Sequence, residues 1–458
     1  MLFPDNRGTM NKEKISTIIF TLLATSLSYG LQSSEPTKVA PATKQKDSGV
    51  WLNIFIHGTV KPPLRIGDIS SIRKDTVESS FYNYSAGFMR QDPRFFQYQP
   101  IQKLGMHPVM INDKRGNASG AFAEIYNIQY KDAYPEEKNF YYSWGWSGLL
   151  SRSKREAESK DFLKDLLKLV KQYKAFGMNP HIRLIAYSHG GNVVLNIARY
   201  REAQNLIINE SVFVGVPVHK ETDKFVNSPI FKKIYQIYSL ADRAQSSDLF
   251  STKHLFSHRK FKSRKCQKID TSKIVHIRLS TTHTIEDPVC KQVTRSFKVD
   301  PRHIELWSFG WKPISYRRKF PLYPLSGASV LPYVIYKTKD LGDDLWVEIN
   351  PYQERMRITS WKNNRKHNMW TLPFFSKTEF ENLTKTALKY EPSELRKNCY
   401  TQIVKDALIY AINKQHAIFY SCLRARSGKL KPKEILKNEE IIKPVTTTLQ
   451  GIESFILH

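Results

Sequence analysis

Cysteine is scarce in this chain: four in 458 residues, at Cys266, Cys290, Cys399 and Cys422. That density excludes a disulfide-built miniprotein. No two are spaced as Cys-x-x-Cys, so zinc-finger readings have no support. An even number leaves room for two bridges in an oxidising compartment, and the sequence-local pairing Cys266–Cys290 with Cys399–Cys422 is the simplest expectation. There is no His-Glu-x-x-His, the usual metallohydrolase helix, and neither a metal nor another cofactor is expected. Past the N-terminus no apolar run is long enough to span a bilayer. Acidic residues are also in deficit, 42 against 71 lysines and arginines, for a formal charge of +29. Such a field suits an electrostatic contact with an anionic membrane or envelope surface, although a solvated lysine-rich surface is the plainer account. The basic residues are scattered and carry no nucleic-acid-binding signature, so no nucleic-acid partner is expected.

With 41% hydrophobic and 12% aromatic residues the chain is globular, with length for two or three domains. Asn11-Lys-Glu-Lys14 precedes a short apolar stretch from Ile15, which ends in the small residues around Ser28-Tyr29-Gly30. A lysine-bearing head, an apolar core and a small-residue cleavage site make residues 1–30 a signal peptide, with Met10 an alternative start and an uncleaved anchor the runner-up. The remainder is then exported: periplasmic, extracellular or membrane-associated. Residues 31–49, with Ser, Pro, Thr, Lys and Gln, read as a flexible spacer.

Strand-like runs recur at Trp51–His57, Asn139–Trp144, Ile182–Tyr187, Ser211–Val216, Ile234–Ser239 and Ile274–Leu279. Helical spacing separates them, over Ser153–Phe176 (Leu163, Leu166, Leu167, Val170, Tyr173) and Asn192–Ala203. This alternation predicts an α/β fold: a mostly parallel sheet of about six strands flanked by helices. Residues 60–138 form a long insertion rich in aromatics, among them Phe81, Tyr82 and Phe95, and read either as a lid or acyl-binding wall, or as a covering helix with an ordinary loop. Trp144 and Trp146 either line a pocket at a strand end or belong to the core. Beyond 320, Val334–Lys337, Leu345–Ile349 and Arg355–Trp361 suggest a small β meander, and 378–424 is helical. Residues 321–458 are therefore expected to be a C-terminal accessory α+β region without chemistry of its own.

The stretch that carries chemistry is Ala186-Tyr-Ser188-His189-Gly190-Gly191. An apolar strand stops at Ser188, two glycines follow, and a helical pattern begins. A strand–turn–helix of this kind exposes the serine Oγ and turns the next backbone N–H toward a reacting carbonyl. The glycines leave room where a Cβ would collide. Upstream, Trp51-Leu-Asn-Ile-Phe-Ile-His57-Gly58-Thr59 is a second short strand, ending in His-Gly. On these two motifs, in this order, roughly residues 50–315 resemble the α/β-hydrolase superfamily, specifically its lipase- and esterase-like members; the domain is set at 50–320. Ala186 stands where the Gly-x-Ser-x-Gly pattern has its first glycine, a small departure.

The resemblance implies a nucleophile at Ser188. It implies an oxyanion hole from the backbone N–H of His189 and of Gly58 or Thr59, and the chain order serine, acid, histidine. Serine needs a base to take its proton, imidazole suits with a pKa near 6.5, and a carboxylate orients the imidazole. Asp242, after the Ile234–Ser239 strand, stands where the superfamily keeps its acid; Asp223, after the preceding strand, is the alternative. His303, at a loop-to-helix junction in Asp300-Pro-Arg-His-Ile-Glu-Leu-Trp307, is the favoured base and His283 the alternative. His57 is expected to pack the oxyanion loop, and His219 and His276 to be structural or exposed. The implied activity is hydrolysis of a carboxylic ester or lipid through an acyl-enzyme. The competing expectation is a catalytically inactive scaffold of the same fold, held to an anionic membrane or envelope surface.

Overall fold

Apolar residues fill both faces of the central strands, so helices must cover the sheet on both sides. In the computed structural model, residues 49–426 are described, apart from 61–65, 98, 112–117, 247–256, 264–267, 287–292, 312–315, 363–364 and 393–398. The expected signal peptide and all but Gly49 of the spacer lie outside the described residues. The strands are β1 Val50–Ile56, β2 Gly105–Pro108, β3 Lys138–Gly145, β4 His181–Tyr187, β5 Ile208–Val214, β6 Phe231–Tyr238, β7 Ile274–Glu286, β8 Val293–Val299, β9 Asp344–Asn350, β10 Arg355–Lys362 and β11 Arg365–Pro373. The α-helices are α1 Ile66–Arg73, α2 Phe81–Gln91, α3 Ala118–Ala133, α4 Arg152–Ala175, α5 His189–Asn196, α6 His303–Trp307, α7 Leu331–Thr338, α8 Lys377–Leu388 and α9 Cys399–Arg426.

All eleven strands among the described residues join one sheet, in the order β11-β10-β9-β7-β6-β5-β4-β1-β3-β2, with β8 also on β7. The block β3-β1-β4-β5-β6-β7-β9 is parallel. β2, β8, β10 and β11 pair antiparallel. The fold is α/β as expected, but the sheet is larger and mixed, where about six mostly parallel strands were expected. The six expected runs are all present. What periodicity could not give is partnership: β9 pairs parallel with β7, Leu279 opposite Val347, across a long connection, and a strand's pattern does not name its neighbour. Residues 344–373, expected in an accessory region, thus extend the same sheet. Val334–Lys337, expected in a meander, is helical: of the five buried residues of α7, Leu331, Val334, Ile335 and Thr338 have the spacing of one helix face.

Alternation along β1 feeds two cores. Leu52, Ile54 and Ile56 face Phe162 and Leu166 of α4 and Val193 and Val194 of α5. Phe55 faces Phe122 and Tyr126 of α3, and that core continues through Leu345, Val347 and Ile349 of β9. The insertion at 60–138 contributes α3 to this cover, and its α2 packs Phe81, Tyr82, Ala86 and Met89 against Ile403, Val404, Ala407 and Leu408 of α9. Asp75 ties the insertion to α4: its carboxylate accepts hydrogen bonds from Ser151 Oγ (2.7 Å), Arg152 N (2.9 Å) and Ser153 N (2.9 Å) at the start of that helix. Among the described residues no helix is long and apolar enough to cross a membrane.

One expectation about cysteine is overturned. Cys399 and Cys422 lie on the single helix α9, about 34 Å apart at 1.5 Å rise per residue. A disulfide needs Cα atoms within about 7 Å, so those two cannot pair. Cys266 and Cys290 lie outside the described residues.

Candidate active site

β4 delivers Ser188 to the carboxyl end of the parallel block, the end at which open α/β sheets bind ligands. Ser188 has φ 50° and ψ −131°, a conformation that costs a non-glycine residue about 1–3 kcal/mol and needs its surroundings to hold it. Ser188 N donates to Val214 O of β5 at 2.9 Å, and Gly191 N donates to Ser188 O at 3.0 Å. The glycines then allow the close approach. A Cβ on Gly190 would lie 2.4 Å from His57 O, one on Gly191 2.4 Å from a Val216 methyl, and one on Gly58 2.8 Å from Ser188 Cβ. All three positions had been singled out in the sequence.

His303 stands over Ser188 from α6. Its Nε2 is 3.1 Å from Ser188 Oγ and its Nδ1 2.7 Å from Asp242 Oδ2. The carboxylate has no proton to give, so Nδ1–H donates to it and Nε2 is left to accept from Oγ–H. Asp242 is fully buried, Ser188 nearly so, and the His303 side chain is 25% exposed. The arrangement can move the Oγ proton to Nε2 while the buried charge stabilises the resulting imidazolium. Asp242, His303 and Ser188 are thus brought together.

The supporting residues were not anticipated. Gly215, at φ +61° after β5, would place a Cβ 3.1 Å from Asp242 Oδ2 and 3.3 Å from the His303 ring, so a side chain there would be strained in its backbone and would crowd both groups by a few tenths of an ångström. Its place after an apolar strand was the available signal. Arg259 donates to the carbonyls of Ser239 (3.0 Å), Leu240 (3.2 Å) and Asp242 (3.0 Å) and so ties down the Asp242 loop. Nothing local in the sequence marks it. Gln245 N donates to Asp242 Oδ1 at 3.2 Å. Tyr187 stacks on the His303 ring at 4.7 Å and on Trp307 at 5.0 Å, and its hydroxyl donates to His303 O at 2.9 Å. Buried Glu305 holds α6, accepting from Arg302 N at 2.8 Å and pairing with the Arg317 guanidinium.

The alternatives lie elsewhere. His283 sits on β7 with its ring edge-on to Phe297 of β8, 5.2 Å between centroids. Asp223 is buried in a turn where its N–H donates to His219 O at 2.9 Å, whereas the imidazole bond goes to Asp242. His57 Nδ1 donates to Gly58 O at 2.6 Å, and its Nε2 accepts from Trp146 N at 3.2 Å. Burial, with Arg90 nearby, pushes its pKa well below the ordinary 6.5, so it is a neutral staple for the Gly58 loop. Trp146 stacks on His57, and Trp146 and Trp144 are both buried, so they serve the core. His276 is structural: its Nε2 accepts from Phe261 N at 3.1 Å, and burial pushes its pKa down to about 3. Thr59 Oγ1 lies 2.8 Å from His189 Nδ1, which locks the Gly58–Thr59 loop to the turn after Ser188. The His189 backbone N–H lies in the first turn of α5, where such groups lack intrahelical partners. Among the described residues no group of three or more His, Cys, Asp or Glu could hold a metal ion.

Comparison with known proteins returns no match: no family model, no curated protein and no solved structure aligns with this chain.

Proposed function

We propose that this protein is an exported serine hydrolase of α/β-hydrolase type that cleaves carboxylic esters, lipids included. One observation carries the reading: the chain of hydrogen bonds from Ser188 Oγ through His303 to buried Asp242, on a strained turn between strand and helix. His303 Nε2 takes the Oγ proton as Ser188 attacks the ester carbonyl. The carbonyl oxygen becomes an oxyanion, received by the N–H of His189 and by that of Thr59 or Gly58; each such donor is worth about 3–4 kcal/mol of barrier. The imidazolium, held by Asp242, returns its proton to the leaving alcohol as the tetrahedral intermediate collapses to the acyl-enzyme. Water, deprotonated by His303, then releases the acid by the same path and regenerates Ser188. Export rests on the leader-like residues 1–30.

A fluorophosphonate probe and p-nitrophenyl esters of increasing acyl length test this together. Wild type is labelled and turns over ester; Ser188→Ala is neither labelled nor active, and His303→Ala loses turnover while His283→Ala keeps it. A folded wild type that is unlabelled and inert on every ester overturns the reading in favour of a non-catalytic scaffold.

A further inference from the structure

Most parallel strands stop at the level of Ser188, but β7 does not. It pairs with β9 up to Thr281 opposite Ile349, then runs on to Glu286 paired with β8. Residues 281–286 and 293–299 therefore make a two-stranded ribbon that rises past the sheet at the end holding Ser188 and Asp242, and β8 returns to Val299 just before His303.

The antiparallel register splits this ribbon into two faces. Thr282, Thr284, Ser296 and Lys298 share one. That face is fastened to the sheet: Thr282 Oγ1 donates to Glu348 at 2.9 Å, and Lys298 Nζ lies 2.9 Å from Glu348 and 3.8 Å from the Trp346 ring centroid. The other face carries His283, Ile285, Arg295 and Phe297. Its root, Thr281 and Val299, is buried, but higher up it is open, with Ile285 41% and Phe297 40% exposed and Val293 47% exposed beside them. The Arg295 guanidinium lies 5.6 Å from the Phe297 ring centroid. On the loop after the neighbouring strand β6, Leu240 is 47% exposed and Arg243 is exposed. A short ribbon gains nothing in water from holding large apolar side chains outward. Apolar side chains with a cation beside them suit the boundary of an anionic bilayer, where the apolar groups reach the acyl region and the cation meets phosphates. The chain's charge of +29 has the matching sign.

We propose that the β7–β8 ribbon docks this protein on an anionic lipid surface, with Ile285, Val293 and Phe297 entering the apolar boundary and Arg295 and Arg243 at the headgroups. This turns the end of the sheet that holds Ser188 toward the membrane. The inference concerns where the protein sits and stands whether or not Ser188 turns over.

The test uses the full chain carrying Ser188→Ala, so that no lipid is consumed, in flotation with phosphatidylglycerol-containing vesicles or with phosphatidylcholine vesicles alone. Binding is expected to the anionic vesicles and to weaken with salt. Ile285→Asp with Phe297→Asp weakens it about tenfold or more, the scale of losing two partly buried apolar side chains. Phe297→Trp, which keeps an aromatic ring, adds emission that shifts to the blue on anionic vesicles, and it decides the matter if the double aspartate variant fails to fold. The proposal is overturned if the added Trp emission does not move while the protein floats, which places binding elsewhere. It is overturned equally if anionic vesicles are not bound at low salt, or if the folded double variant floats like its parent. A concentration-dependent dimer without lipid, abolished by Phe297→Asp, gives the face to a second copy of the chain and also overturns it. Vesicle binding by a chain that hydrolyses no ester removes the hydrolase reading and leaves this one standing.

Discussion

Gly191→Ala and Gly190→Ala look equivalent in sequence, yet the structure separates them. A Cβ at 191 would lie 2.4 and 2.7 Å from the two methyls of Val216 and 3.1 Å from its Cβ; a Cβ at 190 would lie 2.4 Å from His57 O and 3.0 Å from Ile56 O. The first obstacle is a side chain that can be cut back, and the second is backbone at the end of β1 and just after it. Val216 is β-branched and stiff at χ1, so it cannot rotate away. Overpacking of this kind costs about 1–3 kcal/mol, and each substitution alone is expected to lower Tm by several degrees and to cut fluorophosphonate labelling of Ser188. Val216→Ala alone loses about two methylenes of burial, about 1.6 kcal/mol. In combination most of the cost of Gly191→Ala disappears, because the two methyls are gone and only the Val216 Cβ at 3.1 Å remains close, so the double variant is nearly as stable as Val216→Ala, with a coupling of about 1–3 kcal/mol. Gly190→Ala with Val216→Ala is simply additive. Thermal unfolding of the five variants, read beside labelling rates, decides. Additive losses for 191 with 216, or a harmless Gly190→Ala, would refute the account of why the turn carries two glycines.

Asp242→Asn keeps the shape of the acid but stabilises the wrong imidazole tautomer, so kcat on a soluble ester falls by about 10⁴ with KM little changed; a loss under tenfold would sink the assigned role. Glu305→Gln breaks the ion pair that buried Glu305 makes with the partly exposed Arg317, on the helix that presents His303. The expected cost is about 1–3 kcal/mol, that of a hydrogen bond to a charged group, read by denaturant titration, and a neutral result would show that α6 is held by packing alone. The Asp75 carboxyl is held below its usual value: burial pushes it up, but the hydrogen bonds from Ser151, Ser153 and Arg152 outweigh that. A lowered native pKa means stability that is fully present above the ordinary carboxylate range near 4 and is lost as pH falls through the lowered value. Asp75→Asn should therefore lower Tm at pH 7 and flatten the acid limb of Tm against pH; an unchanged acid limb counts against it.

The features of the site that were legible in sequence are local ones. Tyr187-Ser188-His189-Gly190-Gly191 announces a strand, a sharp turn and a helix within a few residues, and Gly58 ends a strand in the same way. Asp242 is reachable because it follows the Ile234–Ser239 strand by a short loop, and His303 because Asp300-Pro-Arg-His-Ile-Glu-Leu-Trp307 reads as a loop-to-helix junction. What stayed hidden depends on contacts made far along the chain. Arg259 acts on carbonyls of the Asp242 loop, and a basic residue in a basic chain carries no signal of such a task. β7 runs past Leu279 through Ser280-Thr-Thr-His-Thr, which has the composition of a loop, because β8 folds back to pair with it. The β-branched and aromatic residues of Val334-Ile-Tyr-Lys read as a strand, while the helix face that buries them, from Leu331 to Thr338, becomes visible only against α3.

Residues 321–458 give the sharpest case, because they share a sheet and a core with the residues around Ser188. β9 completes the pairing of β7 from His276 to Thr281. Leu345, Val347, Ile349, Met356 and Ile358 share one core with Val275, Ile277, Leu279, Leu306 and Trp307. Trp307 stacks on Tyr187, which stacks on His303. Ending the chain at residue 320 thus uncovers a long edge of β7 and unpacks the ring that supports His303, while α2 loses the α9 residues it packs against. Each large apolar side chain left exposed forfeits about 1.5–3 kcal/mol, and five of them exceed the 5–15 kcal/mol of a whole domain at its lower end. The shortened chain is expected to aggregate or to remain unfolded, with no cooperative thermal transition and no labelling at Ser188. A soluble 1–320 chain that melts cooperatively and is labelled at the parent rate would show that the sheet beyond β7 is an independent addition.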